Sequence, residues 1–232
     1  MIQVLAFDAD DTLWHNERHY KAAQELLENL LAPYAPPSQV QETLLKHEHN
    51  NIPMYGYGVK GFILSMIETM LDLSDETIPA ADIRKILARA RHMLSVEVEL
   101  VPHVREVLEA LSNTYDLLVI TKGDLLDQRS KMARSGLNGI IPTIEVVSEK
   151  TPAAYLDVLN HHNIAPEAFM MVGNSLRSDI LPVLEIGAEA VYIPSELTWD
   201  HEKIEVSHHD GYHQLETIRE LPALLETLAA KR

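Results

Sequence analysis

Short apolar runs recur along the chain, and each is followed by polar residues and then by a segment with helical spacing. The first run, Ile2 to Phe7, stops at the acidic cluster Asp8-Ala9-Asp10-Asp11-Thr12. The other four runs are Leu117 to Thr121, Ile144 to Ser148, Phe169 to Gly173 and Ala190 to Ile193. Such runs predict buried strands, and their alternation with helical segments predicts an α/β fold in which helices cover both faces of a parallel sheet. Ligands of such sheets bind at the carboxyl ends of the strands, so the polar residues after each run share one edge.

The stretch between the first two predicted strands has a different pattern. Apolar residues recur there at helical spacing over Tyr20–Leu31, Val59–Leu73 and Ala81–Leu94, with no strand pattern between them. We therefore predict an all-helical domain over residues 16–97. It is inserted into an α/β core domain formed by residues 1–15 and 98–232.

Composition narrows the classes of partner. The 232 residues are 46% hydrophobic and include no cysteine, which is typical of a globular chain and excludes disulfides and zinc-thiolate sites. With 19 Lys plus Arg against 35 Asp plus Glu, the formal net charge is −16, which disfavours nucleic acid and anionic membrane surfaces as partners. The first residues lack the basic lead of a secretory signal, and no uncharged apolar stretch approaches the roughly 20 residues of a membrane span. We expect a soluble cytoplasmic protein; its oligomeric state is not indicated.

The acidic cluster after the first strand is the main candidate for chemistry. Asp8 and Asp10 are two residues apart, so in extended backbone both side chains point to the same side of the strand. Paired carboxylates can bind a hard divalent cation such as Mg²⁺, or one can act as a nucleophile while the other acts as a general acid/base. A solvated acidic turn is the third interpretation of these residues alone.

Four motifs in order resemble those of the haloacid dehalogenase (HAD) superfamily, most of whose members are Mg²⁺-dependent phosphatases. Asp8-Ala9-Asp10-Asp11-Thr12-Leu13 is similar to the first motif, and Thr121 stands at the end of the second strand, where the family holds the phosphoryl group. Lys150, before a predicted helix, is similar to the third motif, and Gly173-Asn174-Ser175-Leu176-Arg177-Ser178-Asp179 to the fourth. The resemblance implies a Rossmann-like, HAD-like core and identifies the inserted helical domain as a cap.

Two positions depart from the family pattern. The fourth motif usually has Asp after the glycine, whereas this chain has Asn174, so Asp179 is the only carboxylate there. In the third motif the proline stands two residues after Lys150 and not in its usual position, and Lys122, directly after Thr121, is a rival cation to Lys150. We prefer Lys150, because alternation along a strand turns the Lys122 side chain away from that of Thr121, while the backbone N–H of Lys122 is available to a phosphate.

The resemblance also implies a mechanism. Asp8 attacks phosphorus to give an aspartyl-phosphate, and Asp10 acts as general acid/base. Mg²⁺ is held by Asp8, by the backbone carbonyl of Asp10 and by the motif that contains Asn174 and Asp179. Thr121, Lys122 and Lys150 bind the phosphate of a small phosphorylated metabolite. Family members that cleave carbon–halogen bonds lack the second Asp, so Asp10 favours a phosphatase. The alternative, suggested by Asn174, is a non-catalytic relative that binds a ligand or a protein partner.

Two histidine clusters are further candidates for metal sites. They are His161-His162 and His208-His209-Asp210. Adjacent residues on a helix face different ways, and the second cluster falls in a polar stretch. The sequence therefore argues against a metal ion at either cluster.

Overall fold

The computed structural model describes residues 1–195 and 211–230. The chain divides into two compact units. The α/β unit comprises Met1–Glu17, Val98–Lys122 and Gln128–Arg232, and the helical unit comprises Arg18–Glu97 and Gly123–Asp127. The predicted domain boundaries, 1–15 with 98–232 and 16–97, and the role of the helical domain as a cap stay predictions.

The α/β unit contains a parallel sheet of six strands within the described residues, in the order β3-β2-β1-β4-β5-β6. The strands are β1 (Val4–Phe7), β2 (Asp116–Lys122), β3 (Thr143–Val147), β4 (Phe169–Gly173), β5 (Glu189–Tyr192) and β6 (His213–Gln214). The first five coincide with the predicted runs, whereas β6 lies where no strand was predicted. The parallel pairing of every neighbouring pair confirms the predicted α/β class.

Helices cover both faces of this sheet. They are α5 (Val104–Leu111), α6 (Leu125–Ser135), α7 (Pro152–His161), α8 (Leu181–Glu185) and α9 (Leu221–Ala230). Alternate residues of β1 explain the two-sided packing: Leu5 and Phe7 belong to the core that includes α5 and α9 side chains, and Val4 and Ala6 to the core that includes α7 and α8. A strand buried on both faces must be apolar throughout, which is why β1 reads as an unbroken run.

The helical unit has its own hydrophobic core, built from its four long helices. They are α1 (Glu17–Leu31, whose first residue belongs to the α/β unit), α2 (Pro37–Tyr55), α3 (Val59–Leu73) and α4 (Ala80–Ser95). Gly56 and Gly58 between α2 and α3 both have positive φ, at 72° and 111°, so this connection depends on glycine. Across the described ranges, no helix is long and apolar enough to cross a membrane.

Candidate active site

The candidate residues follow the carboxyl ends of the three central strands. Asp8 follows β1 directly, and its backbone N–H donates to the Val172 carbonyl of β4 at 2.9 Å. Thr121 and Lys122 end β2, and Gly173 ends β4. Parallel strands end at one edge of the sheet, and this shared edge brings the predicted motifs together.

Lys150 connects two of the predicted acidic residues. Its Nζ donates to Asp8 Oδ1 and, at 2.6 Å, to Asp179 Oδ1. All three residues are buried. Lys150 immediately precedes Thr151, whose hydroxyl caps α7 by accepting from the Ala154 backbone N–H at 3.2 Å. The start of α7 thus fixes the point from which the lysine reaches the site.

Burial and charge together set the protonation of this cluster. Burial raises the pKa of Asp8 to about 7, the ammonium of Lys150 opposes that rise, and the neighbouring Asp179 carboxylate adds to it. For Lys150, burial alone would lower the pKa, but the negative charges of Asp179 and Asp8 outweigh it and raise the pKa well above its ordinary value. Lys150 is therefore a permanent cation at neutral pH. One ammonium between two carboxylates leaves the ionised cluster with a net negative charge.

Thr12 joins Asp8 to the fourth motif. Its hydroxyl lies 3.4 Å from Asp8 Oδ2 and 3.2 Å from Asn174 Oδ1, and it can donate to either oxygen. Asp8 Oδ2 and Asn174 Oδ1 therefore share one hydroxyl, while Lys150 binds the other Asp8 oxygen, Oδ1. Hard oxygen donors beside an excess of negative charge fit Mg²⁺, so the donor set suits the cation that the resemblance implies.

Asp179 is held by a tight turn after β4. A single π-helical turn over Leu176–Ile180 carries it back towards the strand, where its Oδ2 accepts from the Ser175 backbone N–H at 2.9 Å. The carboxylate packs against Gly173 so closely that a Cβ there would lie 2.3 Å from Oδ2. Only glycine leaves room for this approach. Both oxygens of Asp179 are thus engaged, one by Lys150 and one by the backbone.

Asp10 is bound by a different set of groups. Trp14 Nε1 donates to Oδ1 at 2.7 Å and Gln128 Nε2 to Oδ2 at 2.8 Å. Lys131 Nζ lies 2.8 and 3.0 Å from the two oxygens, and it also donates to Asn16 Oδ1 at 3.1 Å. Neither Gln128 nor Lys131 is among the residues predicted from the sequence. The available signal was a stripe of polar residues at helical spacing on α6, at positions 128, 131 and 135, all of which are buried.

The two residues at the end of β2 have separate partners. The Thr121 hydroxyl donates to the Lys122 carbonyl at 3.2 Å, so it is not bonded to Asp8. Lys122 Nζ donates to Ser178 Oγ at 3.0 Å, next to Asp179. Lys122 thus places a second ammonium beside the fourth motif. Direct bonds join Asp8, Lys150 and Asp179, while Asn174 is linked through Thr12, and Asp10 faces α6.

Comparison with known proteins identifies the family of the chain. The family model for haloacid dehalogenase-like hydrolases matches residues 2–187. A glyceraldehyde 3-phosphate phosphatase from Pyrococcus furiosus is 26% identical over 244 residues, covering 98% of this chain and 93% of that protein.

Solved structures show the same fold. A haloacid dehalogenase-like family hydrolase from Xanthomonas campestris is 40% identical, with a TM-score of 0.89 over 99% of this chain and 93% of that chain. A 2-haloacid dehalogenase from Pseudomonas syringae pv. Tomato DC3000 is 21% identical, with a TM-score of 0.66 over 98% of this chain and all of that chain, and shows a likeness of fold alone. With a family model matching most of its length, the chain belongs to the haloacid dehalogenase-like hydrolases.

Proposed function

We propose that this hydrolase is a Mg²⁺-dependent phosphatase that cleaves a small phosphorylated metabolite through an aspartyl-phosphate on Asp8. The observation that carries the proposal is the environment of the Asp8 carboxylate. One oxygen is held by Lys150, and the other is within reach of the Thr12 hydroxyl, which also contacts the Asn174 side-chain carbonyl. A carboxylate is a poor nucleophile towards a phosphate dianion unless the repulsion between them is neutralised.

Two observations favour hydrolysis of a phosphate ester over cleavage of a carbon–halogen bond. Asp10 provides the second carboxylate that the phosphatases of this superfamily have and its dehalogenases lack. The relative from Pyrococcus furiosus, similar over nearly the whole chain, is a phosphatase of a three-carbon phosphate ester. The likeness to dehalogenase structures extends to the fold and carries no preference for their substrate.

The residues divide the reaction into two displacements. An Asp8 oxygen forms a bond to phosphorus as the bond to the leaving oxygen breaks, and Asp10 gives its proton to that oxygen. Asp10 then takes a proton from water as the water oxygen displaces Asp8 and releases inorganic phosphate. Asp8, Asn174 and the Asp10 backbone carbonyl would hold Mg²⁺, which would supply positive charge to offset the negative charge of the phosphoryl group.

The other charged groups have supporting roles in this scheme. Lys150 neutralises Asp8 and the incoming phosphate, and Asp179 holds Lys150 in place. Whether Asp179 also binds the metal stays a prediction, because both of its oxygens already accept hydrogen bonds. Thr121, with Lys122, is proposed to bind the phosphoryl group. Each Asp10 oxygen already accepts two hydrogen bonds, so the proposed acid step includes the displacement of one donor, Lys131, Trp14 or Gln128.

The decisive experiment is to look for the phosphoenzyme. Rapid quenching of the protein with Mg²⁺ and p-nitrophenyl phosphate should give acid-stable phosphate on Asp8, and beryllium fluoride should form an adduct at the same residue. The Asp8→Asn variant, nearly identical in size, should show neither. An absence of both turnover and adduct would instead support the non-catalytic alternative. Release of chloride from 2-chloropropionate without Mg²⁺ would indicate a dehalogenase.

A substrate screen should follow with the wild-type protein. Three-carbon phosphate esters, sugar phosphates, nucleotides and flavin phosphates cover the range of small phosphorylated metabolites. The identity of the preferred substrate is best measured as kcat/KM, because that ratio reports the differential binding of the transition state.

A further inference from the structure

Three side chains with metal-binding atoms converge on the edge of the sheet formed by β3. Glu145 comes from the middle of β3, and His161 and His162 come from the end of α7. One ligand atom from each residue lies within 4.8 Å of the others. Glu145 Oε1 is 2.7 Å from His162 Nε2, and the two imidazole rings meet edge to face with their centroids 4.9 Å apart.

The backbone that carries these residues is fixed at both ends. Glu145 pairs in register with Ile120 of β2. The last turn of α7 is closed by the Ile164 N–H, which donates to the Leu159 carbonyl at 2.8 Å, and by Asn163, whose φ is 56°. This is the usual geometry of a helix that ends on a left-handed residue. It sets the positions of both histidines before any ligand binds.

The same geometry overturns the expectation that His161 and His162 face apart. The helix ends at His161, and His162 has φ −95° and ψ 3°, so its backbone has left the helical path. Two long side chains at such an end can turn towards one carboxylate on the neighbouring strand. The strand supplies the third donor, which the sequence alone could not place beside them.

We propose that Glu145, His161 and His162 form a second metal site, selective for a borderline transition-metal cation of the Zn²⁺ type. Two imidazole nitrogens and one carboxylate oxygen are a common Zn²⁺ donor set, and imidazole suits Zn²⁺, Ni²⁺ and Cu²⁺ far better than Mg²⁺. The carboxyl end of a helix also carries partial negative charge, which favours a cation at the end of α7. His161 is exposed and the other two are half-buried, so water can complete the coordination.

This site differs in place and chemistry from the one at Asp8. Lys150 precedes α7 and His161 ends it, and a helix of 10 residues is about 15 Å long. The donors at Asp8 are all oxygens, whereas two of the three donors here are nitrogens. Because a metal here would tie edge strand β3 to α7, it should stabilise the folded α/β unit against unfolding.

The first test is a calorimetric titration of the full chain with Zn²⁺ in the presence of excess Mg²⁺. We expect one Zn²⁺ per chain and a rise in the thermal midpoint that a chelator reverses. His161→Ala and His162→Ala should each weaken the binding at least about tenfold, since each removes one of three ligands. Glu145→Gln keeps a hydrogen-bond acceptor for His162 but loses the charge, and it should weaken the binding by a smaller factor. His162→Gln is a second, more conservative variant in case the alanine variant is unstable.

Two further variants separate this site from its rivals. The double variant His208→Ala/His209→Ala removes the other histidine cluster, which lies outside the described residues, and Asp8→Asn disables the oxygen site. Both should retain the Zn²⁺ affinity of the wild type. No Zn²⁺ binding at all, or binding lost in either of these two variants and kept in His162→Ala, would overturn the proposal and leave the His162–Glu145 contact as a hydrogen bond only. If two Zn²⁺ bind, one must disappear in His162→Ala.

Discussion

Asp8 and Asp10 are two residues apart on one loop, yet they have opposite surroundings. Asp8 is buried, its backbone is tied to β4, and its carboxylate shares the Lys150 ammonium with Asp179. Asp10 has a quarter of its side chain exposed. Its oxygens accept from Trp14 on the same loop and from Gln128 and Lys131 on α6. The two carboxylates look equivalent in the sequence, but the side chains around them give them different environments.

The difference fits the two roles proposed for these residues. A nucleophile gains from a buried site, where neighbouring charges act strongly, and Asp8 is buried. An acid/base must exchange protons with the substrate and with water, and the more exposed Asp10 can do so. Environment distinguishes the two carboxylates more clearly than their spacing does, as the two proposed roles require.

The largest effect that we expect is that of removing the Asp10 carboxylate on the proton-transfer step. Asp10→Asn should lower kcat by about 10²- to 10⁴-fold with an alkyl phosphate, whose leaving oxygen needs a proton. With p-nitrophenyl phosphate, whose leaving group departs as an anion, the phosphorylation step should be nearly normal. The variant should therefore accumulate phosphoenzyme, because hydrolysis still lacks its base. Quenched-flow measurement of both steps checks the prediction.

The matched control for this variant is Asp8→Asn. It should abolish turnover with both leaving groups and form no phosphoenzyme. Equal losses for the two leaving groups in Asp10→Asn would contradict the acid/base role and leave Asp10 a purely structural acceptor for Lys131.

The second prediction compares the two lysines. Lys150→Met leaves two buried carboxylates facing each other and should lower the free energy of unfolding by about 3–5 kcal/mol at neutral pH. Lys131→Met should cost only about 1 kcal/mol, because Asp10 keeps two other donors and access to water. Urea denaturation in a chelator measures both. Adding Mg²⁺ should restore part of the loss in Lys150→Met, since a cation replaces the missing charge.

A similar loss of unfolding free energy in both lysine variants would show that burial weakens solvation of the Asp10 cluster as much as that of the Asp8 cluster. An absence of Mg²⁺ rescue in Lys150→Met, with the fold intact, would count against a cation site at Asp8 and Asn174.

The residues at the strand ends could be predicted from the sequence, but the side chains that contact Asp10 from α6 could not. A buried parallel strand leaves a long apolar run, and its carboxyl end fixes where the next polar residue lies, so Asp8 and Thr121 were placed at one edge. Lys131 and Gln128 lie on a helix, and the sequence does not show which helical face meets the sheet edge. Polar residues at helical spacing are equally typical of a solvent-exposed helix face, and only the tertiary structure shows that these are buried.

Two elements show the same limit. Helix α2 has few buried apolar residues over its 19 positions and contains Pro53, so its helical period is weak in the sequence. Strand β6 has two residues, His213 and Gln214, and forms only by pairing with β5. Elements held by their neighbours leave little local pattern to recognise.

The third prediction concerns pH. Burial raises the pKa of Asp8 to about 7 in the folded protein from its ordinary value of 3.8. The folded state then binds a proton that the unfolded state has released, so stability should fall as pH rises from about 4 to about 7. The slope should be roughly 1 kcal/mol per pH unit in a chelator, and Asp8→Asn should flatten it. Denaturation at several pH values measures this slope.

Asp11 provides the control for this measurement. Burial also raises its pKa, to about 6, against the opposing backbone hydrogen bonds from Asn16 and Glu17. Its contribution has the same sign but ends at a lower pH, so Asp11→Asn should flatten the curve below about pH 6 and leave the upper part unchanged. An unchanged upper slope in Asp8→Asn would mean that the Asp8 carboxyl is ionised throughout this range.

The smallest expected effect comes from restoring the family carboxylate. Asn174→Asp adds a negative charge beside Asp8 Oδ2, on the side where Mg²⁺ is proposed to bind, and should tighten Mg²⁺ binding by about tenfold. The metal-free variant should be less stable, because the ionised cluster already has more negative than positive charge. Asn16→Asp is the matched control: it adds the same charge in the Asp10 cluster, next to Lys131 and away from the Asp8 oxygens, and should leave the Mg²⁺ affinity nearly unchanged. Calorimetric titration of both variants compares the two clusters directly, and an equal gain in both would mean that Mg²⁺ responds to overall charge and not to the oxygens beside Asp8.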